Sequence, residues 1–284
     1  MPAWSVVICC ANAQATLPAA LDSAQWADEI VVVDSGSNDA TAQIAQDAGV
    51  AYRLEPWRGY TGQKKFGAEL ARHDWVFILD GDEEISPVLA SQLQRFTDAE
   101  LEQLDVVYVR RRNWVMGKPV RAWWPDWQSR GIHRQRVTWP EEALHESRQP
   151  TDPARVARLT GHLDHKKAGS PDFADYFSGK RMDERLLMVA REMHARGKRV
   201  GSLGLWLRPQ LAFFKFFVLK RGFIDGTFGL LIAQKAATST QLKYAALWAV
   251  QNGIAEPAEP EEKQPDRLTR RSTTDNVREL PSGA

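Results

Sequence analysis

Acidic residues that could bind a metal ion stand directly after an apolar run in the middle of the chain. Residues 75–79 are all apolar, and Asp80, Asp82, Glu83 and Glu84 follow them. A run of this kind predicts a strand buried on both faces, and open α/β sheets bind their ligands outside the carboxyl ends of such strands. Asp80 and Asp82 could share a divalent cation that bridges two phosphates, with Glu83 as a supporting residue. The alternative is an acid-rich helix start, since carboxylates favour that end of the helix dipole.

The composition excludes some classes of partner and site. Lys and Arg number 37 and Asp and Glu number 36 in 284 residues, so the near-neutral charge disfavours a nucleic-acid partner. Cys9 and Cys10 are the only cysteines. Neighbours on a strand point to opposite faces, so we expect neither a disulfide nor a shared metal site, which fits a reducing compartment. No signal peptide and no run of 18 apolar residues is recognisable, so we expect a cytoplasmic protein without a transmembrane helix.

The elements that must position the acids alternate between strands and helices. Apolar runs and helical spacing predict three strands and two helices: Trp4–Cys10, Glu29–Asp34 and 50–54, with Leu17–Ala24 and 40–48 between them. This β-α-β-α-β order indicates parallel strands with right-handed crossovers. The predicted fold class is therefore α/β, with a mostly parallel central sheet flanked by helices.

Further polar residues would lie at the same edge of that sheet. Asp34 ends the second strand, Asp39 lies in the turn that follows, and Lys64 lies in a basic, glycine-containing loop. A nucleotide across this edge would meet Asp34 and Asp39 at its base and ribose end. Its diphosphate would meet a metal on Asp80 and Asp82, with Lys64 as a counter-charge. A glycine-rich phosphate loop does not follow the first strand, which disfavours a dinucleotide enzyme or an NTPase.

The middle of the chain is expected to be irregular. A helix is predicted from residue 86 to about residue 96 and a strand at 105–110, and residues 111–139 are dense in Trp, Arg, Gly and Pro. A loop this long inside a compact domain is usually functional. Its tryptophans could stack on sugar faces, and ordinary loop packing is the alternative.

The C-terminal part is expected to be helical. Residues 173–196 form a long helical pattern, and residues 205–235 combine many Phe and Leu with scattered Lys and Arg. This pattern predicts an amphipathic helical extension on a membrane surface, and the alternative is a helical subdomain that packs its Phe residues on the core. We expect a catalytic domain at 1–168, this extension at 169–254 and a disordered tail at 255–284.

Several stretches together resemble one protein family. Residues 29–41 resemble the signature of family 2 glycosyltransferases, which have the A-type nucleotide-sugar-binding fold, and Asp80-Gly81-Asp82 looks like their Asp-x-Asp metal motif. Four further stretches are similar to the branch that contains lipopolysaccharide core β-glucosyltransferases: 112–117, 124–126, 144–146 and 221–229.

The resemblance implies roles for the acidic residues. It implies inverting transfer of a sugar, glucose in that branch, from a UDP-sugar. Asp34 and Asp39 would lie at the nucleotide, and Asp80 and Asp82 at the donor and its Mg²⁺ or Mn²⁺. Glu146 would be the general base that deprotonates the acceptor hydroxyl.

The resemblance also implies roles for later residues. His165 is similar to a family histidine that completes the metal shell or contacts the leaving diphosphate. His162 is a competitor for that role, and a structural histidine is the alternative for both. Arg130 resembles a family arginine whose planar fork suits a phosphate or carboxylate. We expect it to contact the acceptor or a phosphate, together with Trp124 and Asp126.

The predicted function is transfer of a sugar to a lipid-linked saccharide such as the lipopolysaccharide inner core. The protein would bind peripherally to the inner face of the cytoplasmic membrane. One alternative is the same fold acting on polyprenyl phosphate or on a protein. Another is a sugar-nucleotide-binding scaffold without catalysis. The sequence has Asn12-Ala13 where the family usually has Asn-Glu, and this departure indicates an altered donor or acceptor site.

Overall fold

The computed structural model describes residues 2–139, 149–166 and 182–254. The strands are β1 Trp4–Cys10, β2 Glu29–Asp34, β3 Ala51–Leu54, β4 Trp75–Asp80, β5 Glu83–Ile85, β6 Val106–Val115, β7 Lys118–Pro119, β8 Asp126–His133, β9 Val137–Thr138, β10 Gln149–Pro150 and β11 Val156–His165. The helices are α1 Leu17–Ala24, α2 Thr41–Asp47, α3 Gly59–Leu70, α4 Pro87–Gln94, α5 Asp98–Glu102, α6 Met182–Ala195, α7 Ser202–Phe214 and α8 Gly226–Gln251. Glu146 and the expected tail lie outside the described residues.

One mixed sheet organises the structure. Its strand order is β3-β2-β1-β4-β8-β6-β11-β5, and β7 pairs with β6. Strands β3, β2, β1 and β4 are parallel, and so are β6 and β11. Strand β8 runs antiparallel to both neighbours, and β5 runs antiparallel to β11. The α/β prediction is confirmed, and the antiparallel strands in its second half were not expected.

The first half of the chain follows the predicted order. Strands β1 and β4 are almost fully buried because their apolar side chains face helices on both sides of the sheet. Helix α1 buries one face against the sheet, and that face has the predicted spacing: Leu17, Ala20, Leu21 and Ala24.

Two predictions about local structure were wrong. Helix α3 begins at Gly59, so Lys64 lies on a helix and not in a loop. Residues 111–139 are largely strand, because they hold the end of β6 together with β7, β8 and β9.

Strand β3 is an edge strand with mostly exposed side chains, in contrast to the buried β1.

The C-terminal helices pack on the hairpin of β6 and β7. Ile232 of α8 is buried against Val115 and Val120, with Phe216 and Phe228 partly buried around them. Arg121 Nε lies 2.9 Å from Asp225 Oδ1 and adds an ion pair between the hairpin region and the segment before α8. Phe216 and Phe228 therefore pack against the rest of the protein, which was the alternative to the predicted membrane contact.

Helix α7 exposes an apolar face. The face consists of Leu203, Trp206, Leu207, Leu211 and Phe214, which follow helical spacing and are all exposed, Leu203 to 71%. Within 2–139, 149–166 and 182–254, every helix is too short or too polar to cross a membrane.

Candidate active site

The loops after β1 and β2 are joined into one wall at the carboxyl edge of the sheet. The Asn12 amide donates to Ser37 Oγ at 2.7 Å, and the Asn38 amide donates back to Asn12 Oδ1 at 3.0 Å. The Ala13 amide donates to Thr41 Oγ1 at 2.8 Å. These reciprocal bonds hold both loops in one shape beside the strand ends.

Asp34 shapes this wall from the inside. Its Oδ1 accepts from the Gly36 amide at 3.1 Å and from the Ser37 hydroxyl at 2.7 Å, and its Oδ2 accepts from the Tyr52 hydroxyl at 2.9 Å. Burial, and then the hydrogen bond to Asp34, raises the pKa of Tyr52 to about 12. Asp34 is only 1% exposed. Its observed contacts therefore order the loop, and its contact with a nucleotide stays a prediction.

Asp39 lies nearer to the rim of the same wall. Its Oδ1 accepts from the hydroxyl and the amide of Thr41, and its Oδ2 accepts from the Gln14 amide at 3.1 Å. The hydrogen bond from the Thr41 hydroxyl is the main cause that lowers the pKa of Asp39. The residue is ionised and partly exposed, and its contact with a nucleotide stays a prediction.

The carboxylate of Asp80 lies between two cations. Lys64 Nζ is 2.7 Å from its Oδ1, and Arg130 Nη2 is 2.8 Å from its Oδ2. Burial raises the pKa of Asp80, but the charges of Arg130 and then Lys64 outweigh it and hold this pKa well below its usual range. The structure therefore brings three of the predicted residues together, with Asp80 ionised among them.

Arg130 also holds a second acid. Its Nη2 lies 2.5 Å from Glu83 Oε1, and Glu83 accepts from the Asp80 amide at 3.2 Å and from Arg111 Nη1 at 3.4 Å. Arg130 is 2% exposed. Its guanidinium supports Asp80 and Glu83, and its expected contact with acceptor or phosphate stays a prediction.

Asp126 has a comparable supporting position. Its Oδ2 accepts from Arg111 Nη2 at 2.8 Å and from Asn113 Nδ2 at 3.0 Å, and its Oδ1 accepts from Gln128 Nε2 at 2.8 Å. Three protein donors thus surround the carboxylate that we expected at the acceptor.

The contacts close into a ring at His165. Asn113 Oδ1 lies 2.8 Å from His165 Nδ1, and His165 Nε2 lies 3.3 Å from Asp82 Oδ2. We call the connected set the polar ring, and its members in order of contact are Asp80, Arg130, Glu83, Arg111, Asp126, Asn113, His165 and Asp82. Asp80 and Asp82 are separated only by Gly81, so the ring begins and ends at the Asp-x-Asp motif.

His162 and Trp124 lie on the other side of the sheet. His162 and His165 are three residues apart in β11 and therefore project from opposite faces. The His162 ring contacts Trp124 edge-on at 6.0 Å, and Arg110 lies over that indole at 4.8 Å. Burial, and then the charge of Arg112, lowers the pKa of His162. Of the two candidate histidines, His165 is therefore the one that contacts Asp82. Trp124 contacts His162 instead.

The N-terminal half of the sequence shows to which protein family the chain belongs. Residues 5–148, just over half of the chain, match the family described as Glycosyl transferase family 2. The chain belongs to this family.

Individual relatives match over shorter stretches. The lipopolysaccharide core biosynthesis glycosyltransferase LpsC of Rhizobium meliloti (strain 1021) is 38% identical over 118 residues, which are 40% of this chain and 43% of LpsC. An uncharacterized glycosyltransferase of Rickettsia bellii (strain RML369-C) is 38% identical over 91 residues, 32% of this chain and 31% of that protein. An undecaprenyl-phosphate 4-deoxy-4-formamido-L-arabinose transferase of Aeromonas hydrophila is 31% identical over 123 residues, 38% of this chain and 37% of that protein. This family 2 member thus spans less than half the length of these relatives.

Solved structures show a distant likeness. TarS of S. aureus has a TM-score of 0.44 and 17% identity, covering 87% of this chain and 50% of TarS. Glucosyl-3-phosphoglycerate synthase from Mycobacterium tuberculosis, solved with Mn²⁺, UDP and phosphoglyceric acid, has a TM-score of 0.33 and 23% identity, covering 39% of this chain and 44% of that chain. At these TM-scores the likeness carries no argument about the ligands of this family 2 member.

The residues at the Asp-x-Asp motif fit a divalent cation as a partial site. Within the described ranges, three or more His, Cys, Asp or Glu side chains do not converge on one point. Asp82 and His165 do converge, and both are partly exposed. A carboxylate and an imidazole can supply two ligands, and Mg²⁺ commonly takes its others from substrate phosphates and water. Both oxygens of Asp80 already face cations, so its direct contact with a metal stays a prediction.

Tyr52, Arg111 and Asn113 belong to the site but were not predicted as functional residues. The strand was predicted at 105–110, whereas β6 extends to Val115. A prediction of the full strand would have indicated the positions of Arg111 and Asn113. Positions two apart on a strand share a face, so Val109, Arg111 and Asn113 lie on one side of β6. The sequence holds no comparable signal for Tyr52. Its hydrogen bond to Asp34 depends on the pairing of β2 with β3, which brings the two residues together.

Proposed function

We propose that this family 2 member transfers a sugar from a UDP-sugar, with UDP-glucose as the first candidate, to a lipid-linked saccharide such as the lipopolysaccharide inner core, with inversion at the sugar carbon. The observation that carries the proposal is the polar ring, which places Asp82 and His165 side by side at the carboxyl edge of the sheet. The partial identity to LpsC supports the class of acceptor.

Each part of the edge has a distinct task in this proposal. The wall that Asp34 shapes receives the nucleotide, and Asp39 lies at its rim. Lys64 and Arg130 hold Asp80 ionised beside the donor. Asp82 and His165 would hold Mg²⁺ or Mn²⁺, which neutralises charge on the departing diphosphate.

The acceptor side rests on Glu146, which lies outside the described residues. In this proposal Glu146 takes the proton from the acceptor hydroxyl as that oxygen bonds to the sugar carbon, while the bond to the diphosphate oxygen breaks on the opposite side. General-base catalysis of this kind typically contributes 10²–10⁴-fold to a rate.

The exposed apolar face of α7 supports a position on the inner face of the cytoplasmic membrane. Amphipathic helices bind membranes through buried apolar area together with cations that attract anionic lipids, and the exposed Lys215 follows the face directly. Co-sedimentation with phosphatidylglycerol vesicles tests this position. We expect Leu211→Glu to lower binding and Leu242→Glu, at an exposed leucine of α8, to leave it unchanged. Equal binding of both variants would refute the role of this face.

Release of UDP tests the transferase activity. The assay contains UDP-glucose, Mn²⁺ and lipopolysaccharide truncated to its inner core. We expect Asp82→Ala to abolish UDP release, Glu146→Gln to retain donor binding without transfer, and Glu84→Gln to stay active. Glu84 is the matched control because its carboxylate pairs with Lys166 outside the ring. Normal activity of Asp82→Ala would contradict the metal role. Donor binding by the wild-type protein without turnover on any acceptor would indicate a scaffold.

A second acceptor class has one supporting observation. The Aeromonas hydrophila relative is named for transfer to undecaprenyl phosphate. Adding undecaprenyl phosphate to the same assay in place of lipopolysaccharide decides between the two acceptors. UDP should be released only in the presence of the acceptor that the enzyme uses.

A further inference from the structure

The orientation of the Asn113 amide is determined by its neighbour Asp126. An ionised carboxylate has no hydrogen to donate, so the Asn113 atom that faces Asp126 Oδ2 at 3.0 Å must be the NH₂ group. The carbonyl oxygen of Asn113 then faces His165. Arg111 and Gln128 also donate to Asp126, which keeps this carboxylate in place. The hydrogen-bond network therefore leaves Asn113 a single orientation.

That orientation also determines the tautomer of His165. A carbonyl oxygen only accepts, so the nitrogen 2.8 Å away, Nδ1, must carry the hydrogen. In the neutral imidazole the other nitrogen, Nε2, then presents a lone pair to Asp82 Oδ2 at 3.3 Å. Two acceptors that face each other at this distance repel unless a cation or a proton lies between them. Histidines that bind metals usually donate their second N–H to an oxygen acceptor in this way.

We propose that Asn113, oriented by Asp126, is a positioning residue that holds His165 in the Nδ1–H tautomer and so presents its Nε2, together with Asp82, to a divalent cation. The inference rests on the proposed function for the presence of that cation. Asn113 and His165 are paired residues of β6 and β11, so the contact is built into the register of the sheet.

The tautomer can be measured without any metal. Long-range ¹H–¹⁵N spectra of the metal-free protein at about pH 8.5, where imidazole is ordinarily neutral, distinguish the two tautomers, and His165→Gln assigns the signal. We expect Nδ1–H in the wild type and a shift towards Nε2–H in Asn113→Leu. An Nε2–H tautomer in the wild type, or no shift in the variant, would overturn the proposal. The wild-type measurement stands even if the variant does not fold.

Mn²⁺ binding gives the second readout. Electron paramagnetic resonance of Mn²⁺ with UDP present measures the affinity, and loss of an outer-shell partner typically weakens it about 10–100-fold. We expect this loss for Asn113→Leu. Asn252→Leu is the matched control, because it makes the same substitution at an exposed asparagine after α8, whose amide donates to the Trp248 carbonyl outside the polar ring. Equal Mn²⁺ affinity in wild type and Asn113→Leu would contradict the positioning role of Asn113 and would leave the proposed function intact. A wild-type protein that binds no Mn²⁺ contradicts the proposed function instead, and the tautomer spectra still decide whether Asn113 orients His165.

Discussion

Replacing Arg130 by Met tests whether the polar ring depends on its buried cation. Arg130 Nη2 lies within 2.8 Å of Asp80 Oδ2 and 2.5 Å of Glu83 Oε1, and Glu83 is fully buried. Met has a similar length and carries no charge. The substitution therefore leaves two neighbouring carboxylates, with Arg111 at 3.4 Å from Glu83 and Lys64 at 2.7 Å from Asp80 as their remaining cations.

The expected loss of stability is large. Removing one partner of a buried ion pair typically costs about 3–5 kcal/mol. Here Glu83 would stay fully buried, with Arg111 at 3.4 Å as its remaining cation. With about 2–4 °C of Tm per kcal/mol for a domain of this size, the Tm should fall by about 6–20 °C. A loss of this size is a substantial part of the 5–15 kcal/mol that stabilises a typical domain.

Urea unfolding followed by circular dichroism measures this loss. Arg121→Met is the control, because Arg121 forms an ion pair with Asp225 while its own side chain is largely exposed. Exposed pairs contribute about 0–1 kcal/mol, so the control should change little. The double variant Glu83→Met with Arg130→Met should lose less than the sum of the two single losses. An Arg130→Met protein within about 1 kcal/mol of the wild type would refute the reasoning, because the cation would then not be needed to hold the acids.

Two further predictions concern the surroundings of the site. Gly81→Ala should destabilise the protein by about 1–3 kcal/mol, because a Cβ at this position would lie 2.6 Å from Cys10 Cβ; an unchanged Tm would contradict this. Burial raises the pKa of Asp164, but hydrogen bonds from Arg112 and Trp114 outweigh it and lower this pKa. The stability due to this ionised carboxylate is therefore present above about pH 4 and lost as the pH falls through the folded-state pKa. The difference in free energy of unfolding between wild type and Asp164→Asn should shrink below about pH 4, and a constant difference would contradict the assignment.

The first half of the fold was predictable because local and tertiary signals agree there. The apolar runs of β1, β2 and β4 are short, continuous and bounded by polar turns, which is the pattern of parallel strands buried on both faces. Since the carboxyl ends of such strands meet at one edge, the proximity of Asp39 and Asp80 to a common edge followed from the strand order alone.

The second half was not predictable by the same reasoning. The second part of β6 and most of β8 consist of polar and charged residues, so an apolar run does not mark them as strands. The insertion of β8 between β4 and β6 depends on pairing between distant segments, for which a single sequence has no local signal.

The roles of single residues were hard to predict for a related reason. An arginine that binds a phosphate and an arginine that supports two acids have the same sequence appearance, and only burial separates them. In the structure, protein partners surround both Arg130 and Asp126, and their contacts with acceptor or phosphate stay predictions. In the C-terminal part, Phe216 and Phe228 pack on the hairpin and the face of α7 is exposed, and its binding to a membrane stays a proposal.

Calorimetric titration of UDP with and without Mn²⁺ tests the central claim most directly. The claim is that the carboxyl edge of the sheet binds a UDP-sugar through a cation held by Asp82 and His165. UDP should bind the wild-type protein with Mn²⁺, bind much more weakly without it, and show no gain from Mn²⁺ in Asp82→Ala. UDP binding of equal strength in all three cases would contradict the claim.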